Sequence, residues 1–197
     1  MNRSHATKAT PKTDQDIRAI AQGIRDEITG LMNRNPQEPI YRLPMMRVFE
    51  MLYIQEEFAM YIVPDENLPG AAAETEPDEQ LITVRESVYN SAAEGDREAL
   101  FTLAHELGHL FMHADQPRSF ARGSNSYSLE SDCEWQADKF ASEFLVDRRL
   151  IDTGWSIYKV QETFGVTWKI AQEALEEKKR EDKFAQQLKR LGLPPFS

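Results

Sequence analysis

The chain has a single cysteine, Cys133, among its 197 residues. One thiol cannot close an internal disulfide. That excludes a disulfide-stapled secreted scaffold and fits a reducing, cytoplasmic setting. Long apolar runs are also missing, so no segment reads as a transmembrane helix. The first sixteen residues, MNRSHATKATPKTDQD, lack the apolar stretch a signal peptide needs. Bases are outnumbered, with 23 Lys and Arg against 33 Asp and Glu and a net charge of −10. This balance argues against an anionic membrane or a nucleic acid as the main partner. Apolar content is not short. At 41% it is too high for a wholly disordered chain, and the length suits one domain with a small appendage.

The acid excess is concentrated. Residues 65–79 (DENLPGAAAETEPDE) carry six acids and no base, whereas residues 1–64 balance eight of each. The stretch reads as a solvated loop, and as a surface that could steer a basic partner. Before it, residues 1–13 read as a disordered tail and residues 15–33 as a helix capped by Thr13 or Asp14. A second helix is expected after Pro44, and Phe58–Val63 reads as a short buried strand. A further strand is expected from Leu81 towards Tyr89, followed by a turn to Asp96, the N-cap of a helix over 97–113. A loop over 114–129, a helix near 130–146 and two more between 156 and 191 complete an α+β pattern, mostly helical with a small sheet.

The strongest chemical signal is His105-Glu106-Leu107-Gly108-His109 inside the 97–113 helix. Side chains four apart on a helix lie about 40° apart on one face, so both imidazoles can reach one ion. Two neutral nitrogens suit Zn²⁺, and Glu106 beside them is a carboxylate free to move a proton. A third ligand is required for a catalytic zinc site. Asp115 is one candidate, but that arrangement needs a glycine to break the helix where Met112 stands. His113 lies about 12 Å beyond His105 on a straight helix, too far to share the ion. Glu134 is the better candidate, in a helix reading Glu134-Trp135-Gln136-Ala137-Asp138. Asp138 shares its face and can accept the outer N–H of a ligand histidine. Ala137 keeps that face small enough for close packing. Cys133, about 100° round the helix from Glu134, reads as a buried inert thiol.

Two segments carry a family resemblance: Phe101-Thr102-Leu103-Ala104-His105-Glu106-Leu107-Gly108-His109-Leu110-Phe111-Met112-His113, and Glu134-Trp135-Gln136-Ala137-Asp138-Lys139-Phe140-Ala141-Ser142-Glu143-Phe144-Leu145. Together they resemble the ImmA/IrrE family of metallopeptidases, itself similar to the gluzincins, over about residues 35–175. The resemblance implies a mostly helical, zincin-like metallopeptidase domain with a small mixed sheet. From the order of elements along the chain that domain is expected over 14–155, with a C-terminal helical, helix-turn-helix-like extension over 156–197. The resemblance further implies a zinc cofactor held by His105, His109 and Glu134, with Glu106 as catalytic base and Asp138 behind the ligands. It also implies a protein substrate such as a helix-turn-helix repressor encoded nearby.

The expected chemistry is zinc-assisted hydrolysis of a peptide bond. The strand Leu81–Val88 is expected to offer an edge to an extended substrate. Tyr127, His113 and Arg118 are near enough in sequence to stabilise the transition state. Residues 156–175 have a helix-turn-helix outline, but TWKIAQEALEEKKRED mixes acids with bases and offers no basic face for DNA. The alternative is a zinc-containing interaction module that binds a partner without cutting it. A purely structural site has no need of Glu106.

Overall fold

The computed structural model describes residues 7–32, 38–114, 119–120 and 129–194. Within them the fold is α+β, mostly helical with a small mixed sheet. Thr13 begins α1 (Asp14–Met32): its hydroxyl accepts from the Asp16 N–H, and the Asp16 carboxylate accepts from the Thr13 N–H. Helix α2 (Met45–Ile54) turns Met45, Val48, Phe49 and Leu52 inward at helical spacing. Part of the expected N-terminal tail is tied down. Strand β1 (Thr7–Lys8) pairs antiparallel with β5 (Ser119–Phe120), and the Ala9 and Lys12 N–H groups donate to Ser131 and Glu130.

The sheet departs from the sequence reading in four respects. Strand β2 (Ala59–Val63) is not buried: Tyr61 is 60% exposed and Ile62 43%. It is an edge strand of the sheet. The central strand is β4 (Leu81–Arg85), where Ile82 and Val84 are fully buried. Strand β4 pairs parallel with β2 and antiparallel with β3 (Ala73–Glu76), so it has no free edge for a substrate. It also stops at Arg85 rather than Tyr89. The Arg85 guanidinium donates to Leu68 O, the Ser87 N–H donates to Asp65, and the chain enters α3 (Glu86–Ala93). Strand β3 itself lies inside the acidic stretch that composition marked as a loop. Its inward residues are Ala73 and Thr75, and the intervening Glu74 is exposed, so acid content masked the alternation.

Helix α4 (Arg97–His113) starts on Asp96, whose carboxylate accepts from the Ala99 N–H at 2.8 Å. It packs against β3 on one side and α5 (Cys133–Leu145) on another. The short α6 (Ile157–Phe164) turns at Gly165 (φ +69°) into α7 (Trp168–Arg190). Val160, Phe164, Val166, Ile170, Ala171 and Leu175 join the same apolar core as Ile17, Phe49, Leu103 and Phe140. Among the described residues no helix is long and apolar enough to cross a membrane.

Arg25 had no sequence signal as a structural residue. Its buried guanidinium donates to the carbonyls of Phe144 (2.6 Å), Ile40 (2.7 Å) and Tyr41 (2.9 Å), closing the end of α5 onto the segment before α2. Burial lowers its pKa to about 10, still well above neutrality. Arg25→Met keeps the stem but leaves these carbonyls without their donor. It is expected to cost about 3–5 kcal/mol in urea denaturation.

Candidate metal centre

Helices α4 and α5 cross at Gly108. A Cβ there would lie 3.1 Å from Ala137 Cα and 3.1 Å from Phe140 Cδ1. This close approach brings α5 residues within reach of the α4 histidines. His105 Nε2 lies 3.0 Å from His109 Nε2 and 3.4 Å from Glu134 Oε2, and His109 Nε2 lies 3.5 Å from Glu134 Oε1. Nitrogen and oxygen ligands placed tetrahedrally around zinc stand about 3.3–3.4 Å apart. The triangle therefore fits such an ion in both donor type and spacing, and these three residues form a group able to hold a metal. His105 and His109 are mostly buried, while the Glu134 side chain is 63% exposed. Among the described residues the centre is thus backed by protein at the histidines and exposed at Glu134.

The outer contacts differ between the two histidines. His105 Nδ1 lies 2.8 Å from the Asp138 carboxylate, which turns Nε2 towards Glu134. Burial works against the imidazolium, but hydrogen bonds to Asp138 and Glu134 outweigh it and raise the His105 pKa to about 10. For His109, burial and the neighbouring His105 charge act together, and its pKa falls to about 3. Glu134 is held below the usual carboxylate range by its hydrogen bond to His105. The site is therefore charge-ordered: one acid remains ionised and one imidazole remains neutral.

Glu106 is buried at 5% exposure, and its carboxylate accepts the Thr75 hydroxyl at 2.6 Å. Burial raises its pKa, and the Thr75 bond offsets part of the rise. A carboxyl raised towards neutrality is suited to taking and returning a proton. Thr75 was missed because it sits in the acidic stretch, where only an A-E-T-E alternation could have marked it.

His113 is placed behind His109, not at the triangle. Its Nδ1 lies 3.0 Å from His109 Nδ1 and its Nε2 lies 3.1 Å from Gln136 Oε1. Burial lowers its pKa to about 4. Tyr127, Arg118 and Asp115 lie outside the described residues. Cys133 is buried, and burial raises its thiol pKa to about 11, which keeps it protonated and unreactive.

A family profile described as the IrrE N-terminal-like domain, a peptidase family, matches residues 66–176. The match begins at the segment carrying β3, later than the resemblance drawn from sequence, and runs into α7. No curated protein and no solved structure matches significantly. With more than half of its length matched, the chain belongs to the IrrE N-terminal-like peptidase family.

Two substitutions test the geometry. Asp138→Asn removes the charged acceptor behind His105, and metal affinity is expected to fall about 10–100-fold in chelator competition. Gly108→Val forces α4 from α5. It is expected to lower stability by about 1–3 kcal/mol and to weaken metal binding, although it replaces no ligand.

Proposed function

From this family membership, we propose that the chain is a zinc-dependent endopeptidase that hydrolyses a peptide bond in a regulatory protein. The observation that carries the reading is the buried Glu106 carboxylate, hydrogen-bonded to Thr75 and adjacent to a His105, His109 and Glu134 triangle of tetrahedral spacing. A zinc ion bound there supplies a Lewis acid that polarises a peptide carbonyl and acidifies water. Glu106 takes the proton of the attacking water and returns it to the departing amine. Thr75 holds the Glu106 carboxylate in place. Asp138 orients His105. The non-catalytic alternative leaves this proton-handling arrangement without a use.

Strand β3 takes over the substrate role expected of β4. Among the described residues it pairs only with β4, lies against α4, and sets Thr75 beside Glu106. An extended peptide can add to its open side by backbone hydrogen bonds and pass the metal centre. Glu74 and Glu76 lie on this strand, with Asp65, Glu66 and Glu79 in the turns around it. Such an edge favours a basic protein, which supports a DNA-binding repressor as the substrate. The single buried thiol supports action in a reducing compartment such as the cytoplasm.

The deciding comparison is wild type against Glu106→Gln on a helix-turn-helix repressor encoded beside this chain. The variant is expected to keep its zinc and lose about 10²–10⁴-fold in cleavage rate. Equal cleavage by both proteins removes Glu106 from the mechanism.

A further inference from the structure

We propose that His113 and Gln136 are positioning residues that hold His109 in the tautomer a metal requires. The direction of each bond in their relay is set by the backbone carbonyls of Thr10 and Glu130. The inference rests on the metal reading of the triangle and extends it to residues that touch neither ion nor substrate.

The relay can be followed from its far end. The Gln136 side chain is fully buried, and its amide contacts Thr10 O at 2.9 Å and Glu130 O at 2.6 Å. Carbonyl oxygens can only accept, so the amide nitrogen must face them and Oε1 must face the other way. That oxygen meets His113 Nε2 at 3.1 Å and also can only accept, so Nε2 carries the hydrogen. In a neutral imidazole whose Nε2 carries the hydrogen, Nδ1 is the acceptor. It faces His109 Nδ1 at 3.0 Å. Two bare nitrogens would repel at that distance, so His109 Nδ1 carries its hydrogen. The remaining lone pair, on His109 Nε2, points at His105 and Glu134.

The two histidines of the triangle are thus oriented by different chemistry. His105 uses a carboxylate, Asp138. His109 uses a neutral chain of imidazole, amide and main chain, which fixes the tautomer without adding charge beside the ligands. The segment after β1 belongs to this arrangement, because Thr10 provides one of the two carbonyls.

The test uses the full-length chain loaded with zinc. Two-bond ¹H–¹⁵N imidazole spectra of wild type are expected to show His113 protonated on Nε2 and His109 on Nδ1. His113 protonated on Nδ1 overturns the proposal. Zinc affinity is then compared by chelator competition. His113→Leu removes the acceptor and is expected to bind about 10–100-fold more weakly. His113→Asn restores an acceptor oxygen near the Nδ1 position and is expected to recover most of the loss. Wild-type affinity in His113→Leu overturns the relay while leaving the metal reading intact. A wild-type chain that takes up no zinc overturns both. Should His113→Leu fail to fold, the wild-type spectra still decide.

Discussion

The contact between α4 and α5 at Gly108 governs the site. The helices approach so closely that any side chain at position 108 would press on the Ala137 backbone and the Phe140 ring. Glycine inside a helix costs about 1 kcal/mol relative to alanine. Here that cost allows backbone approach, and approach is what brings Glu134 and Asp138 to the imidazoles of His105 and His109. A crossing wider by a side chain would leave two histidines on one helix and two acids on another. The apolar residues Leu103, Leu107, Phe140 and Phe144 hold the crossing in place from the core side.

Burial at that crossing gives the polar groups their roles. Every buried polar side chain near the centre has a specific partner: Glu106 has Thr75, His113 has Gln136, and Gln136 has two backbone carbonyls. In water these groups would exchange partners freely. Removed from water, each keeps the one that spares it an unsatisfied bond, and its orientation follows. The same desolvation raises Glu106 and lowers His109, so packing sets charge state as well as geometry.

A second set of charges fixes the C-terminal helix. The largely buried Arg148 and Glu143 meet each other, Arg148 also reaches Glu177 and Glu181 on α7, and Lys139 bridges Glu143 and Glu177. Buried ion pairs are a poor source of net stability, but an unpaired member is costly, so the network specifies where α7 lies. It explains why a helix with so mixed a charge pattern packs rather than floats. The acids that face α5 are already paired.

Local rules account for what was legible. The four-residue spacing of His105 and His109 and the adjacency of Glu106 depend only on helix geometry. Asp96 and Thr13 declare helix starts through capping chemistry confined to three residues. Glu134 and Asp138 became legible once a first motif required a third ligand. Thr75, Gln136 and Arg25 did not, because each is a single polar residue whose partner lies 31, 23 or 119 residues away. Strand β3 stayed hidden because its outward positions are glutamates, and composition cannot separate a polar strand face from a loop. Nor could alternation decide which strand is central, since strand order depends on pairing between segments. The sequence by itself marked the helices other than α3, the caps at Thr13 and Asp96 and the residue types able to hold a metal, all written within one or two turns of chain. The tertiary structure alone decided which strand edge faces the centre, how close the two site helices come, and which way each imidazole points. Those depend on backbone atoms brought together from distant parts of the chain.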